Sequence, residues 1–364
     1  MQPKPRLIGL DLVRGIAAYA VVLFHSRVDP AAPIGDWAAK LLILGSFAVP
    51  FFLATSFYLT INKFSEKQVK VSLKARFLRL LIPYAFWSLL YLAVRLIKYL
   101  MSHESDKITT LFSDPLALIF LGSAAVQLYF LPLLFFGTCL VKVAEYLLEK
   151  QIYLRTMIVI LTLSLLCYEL LLASGNGFQI GGNLAFQTFW ASLLPGIQQN
   201  PVIRLVSVLL AWWIKCFPYI VMSMILSHPR VKATLSKVNP RWFLIICGGL
   251  FISLTFSQTL VPNFPKSLRE LGMAYTSLLF ALILSKSLKS NRIIQNVGFC
   301  TFGIYLIHHL ILEISYMVVG KIYPQAVAEV SALNLLIFSM ISFLISWAVT
   351  AQLKEKRFFS QLIF

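Results

Sequence analysis

Long apolar runs separated by short polar and basic segments make up most of this sequence. A helix needs about 20 predominantly apolar residues to cross a bilayer, and ten of the runs are close to that length. The runs cover residues 8–27, 38–61, 80–101, 124–144, 156–173, 202–226, 242–260, 270–285, 297–319 and 333–351. The pattern predicts an all-α polytopic membrane protein, built as a bundle of about ten transmembrane helices.

A further apolar stretch, "NLAFQTFWASLLPGIQQNP" at residues 183–201, contains Pro195 and Gly196. Both residues interrupt a regular helix, so we predict that the stretch lies outside the membrane or along its interface. Counting it as an eleventh span would place the C-terminus outside.

The basic residues are distributed unevenly between these spans. The 364-residue chain has a net charge of +18, and with the N-terminus inside, inner segments carry twenty Lys and Arg residues against five in outer segments. Cytoplasmic loops of membrane proteins are enriched in Lys and Arg, so both termini are predicted to be cytoplasmic. The basic clusters are short and lack an aromatic RNA-binding motif, which argues against nucleic acid as a partner.

The composition favours one membrane-embedded domain. Hydrophobic residues form 59% of the chain, charged residues form 13%, and the mean hydropathy is +0.81. We predict a single domain over residues 1–364 with no appended soluble domain. The first run contains Asp11 and Arg14 and no small-residue cleavage pattern, so we expect it to remain as a span. The five cysteines include no CxxC pair, so neither a metal site nor a disulfide framework is predicted.

The first run, "LDLVRGIAAYAVVLFH" at residues 10–25, carries three ionisable side chains. Arg14 and His25 are eleven residues apart, which on a helix is three turns plus about 20°, so they share one face roughly 16 Å apart. Asp11 precedes Arg14 by three residues and can pair with it. Ionisable groups inside a membrane are costly and usually face a bundle interior or a wet cavity.

Two interpretations of this face remain open from the residues alone. In the first, Arg14 extends to the inner interface and His25 lies at the outer interface. In the second, a polar groove begins at the cytoplasm and ends at His25. The small residues Gly15, Ala17 and Ala18 permit close helix packing beside these side chains and favour the groove.

A second stretch, "KARFLRLLIPYAFW" at residues 74–87, places Arg76 and Arg79 just before a span whose first turn is expected to contain Pro83. Paired arginines at a membrane mouth suit a phosphate-bearing ligand, because the planar guanidinium offers bidentate hydrogen bonds. Composition alone favours a plainer role, as a positive-inside anchor or a contact to anionic lipid.

A third stretch, "FGIYLIHHLILEI" at residues 302–314, carries a titratable row in which Tyr305, His309 and Glu313 follow each other at four-residue spacing. His308 lies three residues after Tyr305. Adjacent histidines on a helix point about 100° apart, which makes a poor metal pair. The row indicates either a functional site or an interhelical hydrogen-bond network. No nucleotide-binding loop, serine-hydrolase elbow or zinc-protease motif is present.

Together these stretches resemble the acyltransferase-3 family of integral membrane acyltransferases, which includes O-acetyltransferases. The resemblance lies in the following segments, in family order: "LDLVRGIAAYAVVLFH" (10–25), "VPFFLATSFYLT" (49–60), "RFLRLLIPY" (76–84), "QLYFLPLL" (127–134) and "FGIYLIHH" (302–309). Three positions depart from the family pattern: Thr55 stands for Ser, Ser56 for Gly and Tyr129 for Trp. These residues show no counterpart of the hydrolase-like outer domain that is common in the family, so we expect the membrane domain or a partner to complete the reaction.

The resemblance implies transfer of an acyl group, often acetyl, from acyl-CoA as co-substrate to a hydroxyl of a carbohydrate or glycan, with no permanently bound cofactor. His25 carries over as the catalytic residue, and Arg14, Arg76 and Arg79 carry over to donor binding. The supporting candidates are Asp11, Tyr305, His308, His309 and Glu313. The expected location is the bacterial cytoplasmic (inner) membrane, with the lipid bilayer as a further partner.

The physical chemistry of the donor agrees with this assignment. Coenzyme A is anionic and cytoplasmic, and its thioester arm reaches roughly 15–20 Å, comparable to the rise between Arg14 and His25. His25 would then deprotonate an acceptor hydroxyl or accept the acyl group itself, and both routes stay open. The alternative function is a transporter or flippase for a glycan or lipid-linked intermediate. The acceptor, the acyl chain length and homo-oligomerisation also stay open.

Overall fold

The computed structural model describes residues 6–27, 32–175, 184–323, 330–356 and 362, and these residues are overwhelmingly helical. The helices, in chain order, are α1 (Ile8–His25), α2 (Asp36–Gly45), α3 (Ala48–Lys67), α4 (Leu73–Met101), α5 (Ser105–Phe112), α6 (Phe130–Glu149), α7 (Leu154–Ala173), α8 (Gln187–Leu193), α9 (Pro201–Ser227), α10 (Pro229–Lys237), α11 (Pro240–Thr255), α12 (Ser257–Leu260), α13 (Lys266–Leu284), α14 (Arg292–Ile322) and α15 (Ala332–Leu353). The only bridge between extended segments in the described ranges joins Ile34 to Val330.

Nine helical segments of the described residues are long and apolar enough to cross a membrane, with α2 and α3 counting together as Asp36–Lys67. A tenth, α11, qualifies only when it is joined to the short helix before it. The all-α polytopic architecture predicted from the hydrophobic pattern is therefore confirmed. Each predicted span overlaps a helix, and the span predicted over residues 38–61 is divided between α2 and α3. The orientation of the termini stays a prediction.

The starts of α4 and α6 differ from the sequence-based prediction for reasons that the structure shows. α4 begins at Leu73, where the Ser72 side chain accepts a hydrogen bond from the Ala75 backbone N–H at 3.2 Å and caps the helix. The prediction that Pro83 lies in the first turn is wrong, because this cap starts the helix ten residues earlier. α6 begins at Phe130 rather than 124, because an irregular segment precedes it.

The segment between residues 121 and 129 is buried yet largely non-helical. Gly122 has a left-handed backbone with φ +75°, and a Cβ there would lie 2.6 Å from the Tyr129 Cα, so only glycine fits. The Tyr84 hydroxyl accepts from the Gly122 N–H at 3.0 Å, and Arg95 donates to the carbonyls of Ser123 and Ala124. Side chains of α4 thus satisfy the polar backbone that lipid would leave unpaired.

The stretch over residues 183–201 forms only the seven-residue α8 and a short 3-10 turn in its described part. Seven residues rise about 10 Å, far less than the apolar core of a bilayer. The stretch therefore cannot cross the membrane as a helix, as its proline and glycine predicted.

The chain divides into two compact units, one formed by residues 1–55 and 234–364 and the other by residues 56–233. In unit 2, α9 packs against α6 and α7, and Gly137 permits the approach, because a Cβ there would lie 2.7 Å from Cys216 Sγ. In unit 1, α14 packs against both α1 and α15. Their shared apolar core consists of Ala18, Val22, Cys300, Ile304, Leu312 and Phe338.

Candidate active site

The α1–α14 seam is the line of contact between α1 and α14 in unit 1, and it runs from Asp11 beside Gly298 to His25 beside His308. Glycine brings the helices together: a Cβ at Gly298 would lie 2.6 Å from Asp11 Cβ, and a Cβ at Gly15 would lie 2.8 Å from Val297 Cγ1. Both helices run in the same direction along the seam. The small residues that suggested close packing in the sequence therefore do permit it.

A hydrogen bond joins two histidines at one end of the seam. His25 Nδ1 lies 3.1 Å from His308 Nε2, and the two rings are 5.1 Å apart between centroids. His308 is fully buried, whereas His25 is half-buried. The Ser342 hydroxyl of α15 donates to the His308 carbonyl at 2.9 Å, which ties this part of α14 to a third helix.

The partners of His308 determine the tautomers of both rings. His308 Nδ1 lies 3.2 Å from the Ile304 carbonyl, which can only accept, so Nδ1 carries the proton. In a neutral ring Nε2 is then an acceptor, and the hydrogen bond requires His25 Nδ1 to donate. His25 Nε2 therefore keeps its lone pair, which is the form that a general base or a nucleophile requires.

Two further titratable groups of the late sequence motif lie beside this pair. The His309 ring centroid is 6.0 Å from that of His25, and His309 Nδ1 is 3.3 Å from Glu313 Oε1 on the next turn. The Tyr305 ring lies 6.3 Å from that of His308 and stacks on Phe302. The structure therefore gathers His25 and the four candidates of the late motif into one cluster.

The charged residues of α1 lie further along the seam. Arg14 is half-buried, and its Nη2 donates to Thr301 Oγ1 of α14 at 3.3 Å. Asp11 is buried and pairs with Arg6, whose Nε lies 2.5 Å from Asp11 Oδ2. Arg6 also donates to the Gln295 carbonyl at 2.8 Å and so links the start of α1 to α14. The sequence had suggested Arg14 as the partner of Asp11.

The basic pair of the second motif lies in unit 2, on the first turns of α4. Arg76 is half-buried and donates to Thr60 Oγ1 at 2.5 Å, whereas Arg79 is exposed. No carboxylate among the described residues forms an ion pair with Arg79. Both arginines lie inside α4 and, three residues apart, share one face of the helix.

Thr301 and Tyr316 also link α14 to α1, although neither belongs to the candidate residues of the sequence motifs. The Tyr316 hydroxyl donates a hydrogen bond to the Ser26 carbonyl, one residue beyond His25, and its ring stacks on Phe338 at 4.1 Å. Tyr316 follows Tyr305 by eleven residues, the same spacing that relates Arg14 to His25, so helical-face counting could have found it. Thr301 carries no comparable signal.

Comparison with known proteins assigns the chain to a family. The model of the acyltransferase-3 family, described as an acyltransferase domain, matches residues 7–351, which is nearly the whole chain. No curated protein and no solved structure gives a significant match. With nine candidate spans in the described residues, the chain belongs to the acyltransferase-3 family and is an integral, multi-pass membrane acyltransferase.

Proposed function

We propose that this acyltransferase moves an acyl group, acetyl as the first candidate, from cytoplasmic acyl-CoA to a hydroxyl of a carbohydrate or glycan at the outer face of a bacterial cytoplasmic membrane. The observation that carries the proposal is the His25–His308 hydrogen bond at one end of the α1–α14 seam. It leaves one imidazole nitrogen of His25 basic, beside a helix face that also carries Arg14.

His25 acts as the general base in this proposal. Its Nε2 lone pair takes the proton of the acceptor hydroxyl while that oxygen attacks the thioester carbonyl carbon. The new C–O bond forms and the C–S bond breaks, so the coenzyme A thiolate leaves. The proton then passes from His25 Nε2 to the thiolate sulfur, which restores the neutral imidazole and balances the reaction.

His308 is a positioning residue in this scheme. Because His308 Nε2 accepts from His25 Nδ1–H, it holds the His25 ring in one orientation and in one tautomer, the role that a third group plays for any activated base. The bonds of His308 to Ile304 and from Ser342 hold it in turn. An acid solution would protonate His25 Nε2 and remove the lone pair, so activity is expected to fall at low pH.

The same lone pair also supports a two-step route. His25 Nε2 would attack the thioester carbonyl carbon, and the C–S bond would break to release the thiolate. The acceptor oxygen would then attack the acyl carbon, the C–N bond to Nε2 would break, and the hydroxyl proton would pass to the thiolate. Rapid-quench measurement of thiol release without acceptor separates the routes. One equivalent of thiol per protein indicates an acyl-histidine, whereas direct transfer releases none above the hydrolysis background.

Donor binding is assigned to the arginines. Arg14 lies on the seam roughly 16 Å before His25, where its guanidinium suits the polar atoms of the donor arm. Arg76 and Arg79 offer charge-assisted hydrogen bonds to the phosphates of coenzyme A, and the exposure of Arg79 leaves it accessible to a ligand.

The decisive experiment combines purified protein with labelled acyl-CoAs of several chain lengths and a panel of glycans. Thiol release and labelled product are measured together. Acceptor-dependent release with an ester product supports the proposal and identifies both substrates. Donor binding without thiol release or product for any acceptor would contradict it and favour movement of a glycan or lipid-linked intermediate instead.

A further inference from the structure

An open cavity lies at the end of the α1–α14 seam opposite the histidines. Its volume is about 710 Å³, within the range of small-molecule sites. The residues that line it come from the segment before α1, from the first turns of α14 and from the end of α15: Arg6, Arg292, Gln295, Asn296, Phe299, Lys354 and Glu355. We call it the cationic cavity, because it has three basic side chains and one acidic side chain.

Two of its cations are available to a ligand. Arg6 is already engaged with Asp11, but neither Arg292 nor Lys354 forms an ion pair with a carboxylate in the part of the chain that the structure describes. Arg292 is exposed and Lys354 is half-buried. Glu355 is the one acidic side chain in the lining, so Arg292 and Lys354 leave the cavity with a net positive charge that attracts an anion. A guanidinium and an ammonium in one cavity suit the several oxygens of a phosphate.

Asn296 adds neutral donors to the same cavity. The indole N–H of Trp347 donates to Asn296 Oδ1 at 2.8 Å, and the Cys300 thiol shares that oxygen at 3.5 Å. An indole can only donate, so the amide oxygen of Asn296 must face Trp347. The amide nitrogen of Asn296 is thereby left with two N–H donors for a ligand in the cavity that it lines.

The distance from the cavity to the histidines matches the length of the arm that carries the thioester in acyl-CoA. Gln295 and His308 belong to the same helix and are separated by about 20 Å along its axis. That separation is close to the reach of a phosphopantetheine arm, so a phosphate held in the cavity would allow a thioester to approach His25. Phe299, which is 46% exposed, offers a ring face on which a nucleobase can stack.

We propose that the cationic cavity is a phosphate-binding site of unit 1 and, resting on the proposed function, that it holds phosphate groups of the acyl-CoA donor. Coenzyme A has a pyrophosphate and a separate 3′-phosphate, and either group has the charge and the oxygens that this site suits. The headgroup phosphate of an anionic lipid has the same chemistry, and the experiment separates the two sources.

The test compares two purified double variants that remove the same charge. Arg292→Gln with Lys354→Gln removes the available cations of the cavity, and Arg241→Gln with Lys237→Gln is the matched control at exposed positions of unit 1 outside the cavity. Calorimetry measures the affinities for coenzyme A and 3′-dephospho-coenzyme A. Native mass spectrometry measures retained phosphatidylglycerol. Single Lys354→Gln protein provides the same readouts if the double variant fails to fold.

If the cavity binds the donor, the cavity variant should lose at least about tenfold in affinity for coenzyme A. The control variant should keep the wild-type affinity. A smaller loss for the dephospho form assigns the 3′-phosphate to the cavity. Unchanged coenzyme A affinity with lost phosphatidylglycerol identifies a lipid phosphate site. Cavity variants that match the control for both ligands would overturn the phosphate site.

The outcome for the cavity is independent of the outcome for the proposed function. If wild-type protein neither binds coenzyme A nor transfers acyl groups, the function fails while the phosphatidylglycerol measurement still tests the cavity. If wild-type protein transfers acyl groups and the cavity variant behaves as the control in every measurement, the cavity proposal alone fails.

Discussion

The two ends of the α1–α14 seam are built in opposite ways. At one end His308 is fully buried, and three hydrogen bonds fix it to His25, to the Ile304 carbonyl and to the Ser342 hydroxyl. At the other end the cavity is open, and Arg292 and Lys354 have no described ion-pair partner. A reacting nitrogen must be held in one orientation, whereas a multiply charged phosphate is recognised by cations that can adapt to it. The contrast suggests chemistry at the closed end and recognition at the open end.

Substitution of His25, at the closed end of the seam, should lower the rate of acyl transfer more than any other change. His25→Ala should lower acyl transfer by more than about a hundredfold, because a positioned general base contributes at least that much. Binding of coenzyme A should be retained. The matched controls are His103→Ala and His228→Ala, which lie between helices and should keep wild-type rates. Near-normal transfer by pure His25→Ala protein would end the assignment of chemistry to the closed end.

The next effect concerns the residue that orients His25. His308→Ala should lower kcat by about tenfold to a hundredfold, because a small misplacement of a reacting group carries a cost of that order. His308→Gln should recover part of the loss, since its amide oxygen can accept from His25 Nδ1–H. Steady-state kinetics on both variants measure the rescue. Equal loss in the two variants, at unchanged thermal stability, would indicate that His308 matters only for packing.

Substitution of the two α4 arginines in unit 2 should change the affinity for coenzyme A and not the rate of the chemical step. Arg76→Ala combined with Arg79→Ala should weaken coenzyme A binding by about tenfold, since charge-assisted hydrogen bonds to phosphate are lost. The difference from wild type should shrink at high salt, because exposed charges are screened. Lys150→Ala with Arg155→Ala, both exposed on the same unit, is the control. Unchanged affinity in the folded variant would return the pair to an anchoring role.

A smaller effect is expected from removing the hydrogen bond between Arg14 and Thr301 in the middle of the seam. Thr301→Val keeps the shape of the side chain and removes the hydroxyl that accepts from Arg14. The KM for the donor should rise by roughly fivefold, the value of one lost hydrogen bond, with kcat little changed. Thr350→Val, which removes a hydroxyl bonded to its own helix, should have no such effect. A drop in kcat alone would place Arg14 with the chemistry instead.

The last prediction concerns topology and involves no change in activity. Reporter fusions determine which side of the membrane each end of the α1–α14 seam faces. Reporter fusions at Lys237 and Lys289 should report the cytoplasm, and fusions at Gly175 and Val261 the outside, if the basic residues orient the chain as predicted. The cationic cavity would then face cytoplasmic coenzyme A. A cytoplasmic report at Val261 would reverse the assignment of the two ends.

Much of this architecture was predictable because membrane spans are specified locally. A run of apolar residues must satisfy its own backbone as a helix, so residues 8–27 and 333–351 appear in the fold close to where the pattern placed them. The start of α4 was missed because a single capping residue, Ser72, extends the helix through a polar segment. The break before α6 depends on Gly122 and on side chains of another helix, which no local pattern reveals.

The site was predictable to the extent that it lies on single helices. Helical geometry alone put Arg14 and His25 on one face, and Tyr305 in a row with His309. The hydrogen bond between His25 and His308 depends on which helices are neighbours, and 283 positions of sequence separate the two residues. Helical spacing could not indicate the ion pair between Asp11 and Arg6, because Arg6 precedes the helix.

The pairing of the first span with α14 also has a consequence for biosynthesis. The ribosome adds about 5–20 residues per second, so α1 waits on the order of tens of seconds before its partner helix emerges. During that interval the buried carboxylate of Asp11 has no α14 beside it, but Arg6 comes from the same segment and can already neutralise it. The α1–α14 seam can therefore form only after α14 has been synthesised, whereas the Arg6–Asp11 ion pair can form as soon as the first span is made.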